Sequence, residues 1–268
     1  MGHTRLGSIP TARKWAEIVA QLAEVEEGVV VNELQPSDIM VIAGQTLDAA
    51  ETGFNKAIND TGLQYTFYLL TRLVLTSREE NWERQLSRLG INISEDDSLL
   101  ALTTEIHKAI DHHVSIHGRP TDISEMAQQA AGEAIATLAA TKASTLFGAG
   151  RVELKTALKD LSTKKGFSKL GHKFFGRFMS NFLNFYLSRI TATHVGGRKL
   201  QNVADLDRFN KNLQLHCDQT AKIVRDYCGE WYSKTQFKEG INLDNTSNFV
   251  AVAVKKLRAE MKRQRGET

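Results

Sequence analysis

Apolar residues recur along this chain at intervals of three and four, and strict alternation is nearly absent, so the pattern predicts helices and not strands. Trp15, Ile18, Val19 and Leu22 share one face of a first helix that opens near Ser8, with Pro10 in its first turn. A valine run at 29–31 interrupts the pattern. Met40, Ile42 and Leu47 make a second helix with Ser37 as its cap. Residues 63–75 are apolar around most of the helical circumference, which predicts a central position. Ser77 and Glu80 have the spacing of a capping box, and Gly90 stands where a helix-ending glycine belongs, so 77–90 reads as one bounded helix. A helix over 97–117 stops at Gly118, Arg119 and Pro120, and Asp122 with Glu125 supplies the next start.

The helix from 123 to about 147 is rich in alanine, which lets a neighbouring backbone approach closely. A short helix at 154–161 leads to a basic, aromatic one over 166–190, and helices over 203–232 and 248–265 close the chain. Phe249 to Val254 alternates like a strand, yet Val250, Val254, Leu257 and Met261 continue at helical spacing, so helix is predicted there too. The expected fold is all-α: a compact bundle of about eight to nine helices in one domain over 1–268. A soft seam near 148–165 divides an acidic amino-terminal part from a basic carboxyl-terminal one.

Composition narrows the class. With 41% hydrophobic residues, three prolines and 268 positions, the chain is long and apolar enough to bury a core, which excludes disordered and collagen-like readings. The longest runs without a charged residue, 61–71 and 178–188, fall well short of the roughly 20 positions a membrane-spanning helix needs. No apolar run suited to a secretory signal follows the first basic residues, and the expectation is a cytoplasmic protein. Cys217 and Cys228 lie too far apart along one helix to bridge each other, and are expected to be reduced, buried thiols.

Charge changes the picture more. The net charge of +3 conceals segregation: residues 16–60 hold nine acids against Lys56 alone, while 161–204 hold eight basic residues and no acid. That acid-free stretch also contains Phe167, Phe174, Phe175, Phe178, Phe182 and Phe185, half of the twelve phenylalanines, at helical spacing. Lys164, Lys165, Lys169, Lys173, Arg177, Arg198 and Lys199 are therefore the candidate partner-binding residues. Such a region suits an acidic protein surface, including the acidic segment of a second copy in a homo-oligomer. Nucleic acid is the alternative partner, and a membrane-surface amphipathic helix a weaker one. Basic residues from Lys255 to Arg265 suit a solvated helix end, where the dipole favours them.

Chemistry is sparse. No phosphate-binding loop, nucleophile elbow or dinucleotide motif occurs. His107, His112, His113 and His117 form a cluster in which His113 and His117 share a helix face, without the accompanying ligands of a metal site; solvated or capping histidines are expected. No catalytic residue, cofactor or metal is assigned, and the chain reads as a binding or assembly protein of the adaptor type, with a metal-dependent enzyme using His113 and His117 as a weaker alternative.

Overall fold

The helical spacing becomes twelve α-helices and one 3₁₀ turn among the residues described by this computed structural model, which are 13–23, 34–94, 98–140, 150–197 and 199–266. In order these are α1 (Arg13–Ala23), α2 (Pro36–Ala49), α3 (Glu51–Lys56), the 3₁₀ turn (Ala57–Asn59), α4 (Thr61–Thr76), α5 (Trp82–Arg88) and α6 (Leu99–His117). They continue as α7 (Asp122–Ala140), α8 (Arg151–Leu161), α9 (Lys164–Thr193), α10 (Val203–Thr220), α11 (Lys222–Lys238) and α12 (Leu243–Gln264). No strand occurs among the described residues. The count exceeds the eight to nine expected because single residues divide what the apolar pattern joins. Ala50 separates α2 from α3, and Ala221 separates α10 from α11. The predicted opening near Ser8, the valine run and the end of the alanine-rich helix lie outside the described residues.

Two predicted starts are corrected by where the hydroxyls point. Ser77 is buried and its Oγ donates back to the Val74 carbonyl at 2.7 Å, so it finishes α4; α5 begins only at Trp82. At the start of α7 the reciprocal pair is Thr121 with Ser124, not Asp122 with Glu125. Ser124 N–H donates to Thr121 Oγ1 at 2.9 Å, and Thr121 N–H donates to Ser124 Oγ at 3.0 Å. Ser37 does not cap α2 either; that place belongs to Gln35, followed by Pro36 in the first turn. Gly90 does end α5, with φ +81, a backbone region that glycine enters without strain.

Asp60 ties two of these starts together. Its Oδ1 accepts from Leu63 N–H at 2.8 Å, capping α4, and its Oδ2 accepts from the Thr121 hydroxyl at 2.7 Å. Burial pushes the carboxyl above the usual aspartate range, against those hydrogen bonds.

The core forms around α9, which packs on α2, α7, α8, α10 and α11, while α4 packs on α6, α7, α8 and α12. Phe67 of α4 is fully buried and meets the rings of Phe167, Phe174 and Phe175 of α9 and Phe249 of α12, with centroids 5.1–5.8 Å apart. Burying each such ring is worth about 1.5–3 kcal/mol. The buried apolar cluster runs from Trp15 to Met261, so segments on both sides of 148–165 contribute to it.

Helix α9 runs antiparallel to the α10–α11 pair: Gly176 lies against Asp218, Gly171 against Cys228, and Lys164 and Ser168 against Gly229. A Cβ on Gly171 would overlap the Cys228 Sγ, so the α9–α11 crossing needs glycine there. Gly171→Ala is expected to lose about 1–3 kcal/mol in denaturant unfolding through overpacking. Adding Cys228→Ala should recover part of that loss, giving a favourable coupling energy in the double-mutant cycle.

Candidate functional site

The basic aromatic helix is the natural starting point, and the fold uses most of it internally. Half of the thirty residues of α9 are buried, among them Phe167, Phe174, Phe175, Phe178 and Phe182, each at 0% exposure. The aromatic face that a membrane anchor would need therefore lies in the core. Among the described residues no helix is long and apolar enough to cross a membrane.

The cations of α9 meet acids that neighbouring helices supply. Lys164 pairs with Glu230 of α11. Lys173 Nζ donates to Asp218 Oδ2 of α10 at 3.0 Å, and Gln214 Nε2 donates to the other carboxylate oxygen at 3.0 Å. Arg177 Nη1 donates to Gln214 Oε1 at 2.9 Å, and its Nε lies 3.0 Å from Glu133 Oε2 of α7, off the N–H axis. His172 Nε2 donates to the Asp218 carbonyl at 2.7 Å. A continuous polar seam thus joins α7, α9 and α10. Opposite charges sit side by side in space although they are separated in sequence, which accounts for the exclusion of acids from α9 itself.

The seven predicted partner-binding residues divide accordingly. Lys164, Lys173 and Arg177 are engaged with acids, and Lys199 Nζ donates to the Gln21 carbonyl near the end of α1 at 2.6 Å. Arg198 lies outside the described residues. Lys165 and Lys169 are exposed and make no ion pair among the described residues. Helix α11 runs past the start of α9, where the Tyr232 hydroxyl donates to the Ser162 carbonyl at 2.7 Å, and its last turn carries Lys234, Phe237 and Lys238, with Phe237 91% exposed.

The terminal basic residues are a solvated end only in part: Lys255 and Lys256 are exposed and Arg263 pairs with Glu260 on the same helix, while three others turn onto neighbouring helices. Arg258 Nη1 donates to Glu51 Oε1 at 3.0 Å and Asn55 Oδ1 at 2.7 Å, Lys262 lies 3.4 Å from Asp48, and Arg265 Nη2 donates to Asp48 Oδ2 at 2.6 Å. Asp48 and Glu51 of the acidic segment, far from the terminus in sequence, therefore pair with it inside one chain. Arg265 can lie across α2 because Gly44 leaves it room; a Cβ there would stand 2.9 Å from the Arg265 Cδ.

A second place was invisible as a cavity in the sequence. Helices α4, α5 and α6 enclose a groove of about 820 Å³ lined by Tyr65, Arg88, Glu105, Lys108, His112, His113, Ile116 and His117, with Ser87, Leu89, Gly90, Asn92 and Ala109. Tyr65 and His113 stack with centroids 3.5 Å apart and planes 1° from parallel, and His113 stacks on His117 at 4.3 Å and 19°. His117 Nδ1 donates to the His113 carbonyl at 3.1 Å, while His107 is drawn away to the Gln128 carbonyl of α7 at 3.1 Å. The four histidines therefore do not converge. Near-parallel rings direct their nitrogen lone pairs along parallel planes, and no group of three or more metal-ligating side chains occurs among the described residues. The signal available in the sequence was the spacing of 105, 108, 109, 112, 113, 116 and 117 on one helix face; the partners Tyr65 and Arg88 come from other helices.

No protein-family model matches this chain, and no curated protein or solved structure is similar to it. Its function has to be read from its own surfaces. Both cysteines, Cys217 and Cys228, are free and fully buried, and burial pushes both thiols above the ordinary range, which disfavours the reactive thiolate.

Two outcomes test this description. Asp218→Ala removes the acceptor for both Lys173 and Gln214 and should lower stability by about 1–3 kcal/mol, whereas Lys165→Ala and Lys169→Ala should each stay within about 0.5 kcal/mol. The second concerns pH. Burial makes His216 a weaker base, and burial together with His117 and His112 does the same to His113. The unfolded chain then binds more protons than the native one, so the stability tied to their neutral rings is complete above the ordinary histidine value near 6.5 and is lost as pH falls below it. Thermal unfolding from neutral to mildly acid pH should show a falling Tm, with a shallower slope in His216→Met.

Proposed function

We propose that this chain is a non-catalytic binding protein of the adaptor or assembly class, meeting an acidic protein surface with the end of the molecule where α9 begins. The observation that carries the reading is the pair Lys165 and Lys169, exposed and without an ion pair among the described residues while their neighbours Lys164 and Lys173 are neutralised. Their position supports it further. No acid occupies the first turn of α9, where Lys165 opposes the helix dipole at a cost of about 0.3–0.5 kcal/mol, and Lys169 follows one turn later. The dipole gives Lys165 no stabilising role, and an acidic partner would find both lysines and the positive helix end. Phe237 supplies an exposed aromatic of the kind that anchors protein interfaces, beside Lys234 and Lys238.

The acidic surface can belong to a second copy of the chain. Nucleic acid is the competing reading, because exposed lysines also neutralise phosphates. Light scattering on the purified chain at low and high salt, with and without a mixed-sequence oligonucleotide, separates them. The expected result is a low-salt oligomer that dissociates at high salt, ignores the oligonucleotide and is abolished by Lys165→Glu with Lys169→Glu. A monomer that gains mass only with the oligonucleotide would overturn the protein-binding reading.

A further inference from the structure

The groove between α5 and α6 is separate from the lysines of α9 and has a different chemistry. We propose that it is a binding site for a phosphate-bearing aromatic ligand of mononucleotide size, its ring stacked on His117 and its phosphate held by Lys108 and Arg88. At about 820 Å³ the groove has the capacity of a small-ligand site, typically about 300–1,000 Å³. Its fixed charges, two cations against one carboxylate, leave it positive. Arg88, Lys108 and three imidazoles face Glu105 as the one lining carboxylate, and Glu105 already accepts from Lys108 Nζ at 2.7 Å and Asn92 N–H at 3.2 Å.

The ring stack gives the site its second property. Tyr65, His113 and His117 form a pile of three near-parallel rings that ends at the exposed His117. The Nδ1 contact to the His113 carbonyl holds the last ring in place, so its orientation is set before any ligand arrives. An imidazole face is a stacking platform for a nucleobase, and a cation nearby suits the phosphate. Leu89 and Ile116 add apolar wall, and Ile116 is 61% exposed on this face. His113 Nε2 is buried with no hydrogen-bond partner, a cost that a structural stack alone leaves unexplained. A bare anion site would need the cations but not the pile of rings; a metal site would need converging nitrogens, which the near-parallel rings do not provide.

The test is nuclear magnetic resonance of the full chain at about pH 7.5, above the ordinary histidine range, following the imidazole Cε1–H signals during titration with ADP, adenosine and inorganic phosphate. ADP is expected to shift His112, His113 and His117 by ring current, leaving His172 and His216, which belong to α9 and α10, unmoved. Adenosine and phosphate separately should each bind at least about tenfold more weakly than ADP. His117→Ala, at an exposed position, should weaken ADP about tenfold and remove the ring-current shift at His113. Lys108→Ala should weaken ADP and phosphate while leaving adenosine unchanged. Equal affinity for ADP and phosphate without a ring-current shift would overturn the aromatic part and leave a simple anion site. No shift of the three histidines with any probe up to about 5 mM, a concentration at which millimolar binding registers, would overturn the proposal, as would ADP binding that is indifferent to His117→Ala.

Discussion

A thirty-residue helix surrounded by five others can carry charge only along the seams between them, and this constraint on α9 organises the rest of the molecule. Its aromatic side chains leave water on several sides at once, so Lys164, Lys173 and Arg177 emerge where α7, α10 or α11 can present an acid. Asp218, Glu133 and Glu230 stand at those places. An acid on α9 itself would face like charges across the same seams, which is destabilising. The contribution of each pair to stability is modest, since partly exposed ion pairs are worth about 0–1 kcal/mol. Their larger effect is on geometry: they bring together the same positions as the close contacts of Gly171 with Cys228 and Gly176 with Asp218.

The same logic governs the other end of the chain. Helix α12 lies on α4 through Phe249, on α3 through Arg258 and on α2 through Lys262 and Arg265, so the final helix is held by both an aromatic contact and a charge zipper to Asp48 and Glu51. Phe67 connects this arrangement to α9, because its ring touches both Phe249 and the phenylalanines of α9. Packing of the first half of the chain on the second is thus centred on one residue of α4, the helix whose uniformly apolar circumference marked it as central.

What could be read from the sequence and what could not follow one physical division. The periodicity of apolar residues is local, so α4, α6, α8 and α9 were legible, as were Gly90 as a terminator and helix over Phe249 to Val254. Caps depend on where a short hydroxyl turns, and Ser77 turns backward while Thr121 takes the place expected of Asp122. Charge complementarity is non-local. A count along the chain found the segregation of acids and bases correctly but could not tell that Asp218 answers Lys173 or that Asp48 answers Arg265. The groove is the extreme case: four histidines on one helix looked like solvated side chains because Tyr65 and Arg88 arrive from α4 and α5.

Once the internal pairs are removed from consideration, the remaining charge becomes informative. A basic segment of eight cations suggests very little by itself, since a folded chain can absorb them, and here most of those whose contacts are described are absorbed. Of the cations left over, Lys165 lies at the positive end of a long helix dipole with no acid in the first turn, Lys169 one turn further on, and Arg189 near the other end, where the dipole favours it. Arg88 faces a groove whose other walls carry three imidazoles and the Lys108–Glu105 pair. The two proposed sites differ in shape: one is an exposed helix start open to a macromolecular surface, the other a concavity of small-molecule size. Shape therefore separates two readings that charge alone would merge.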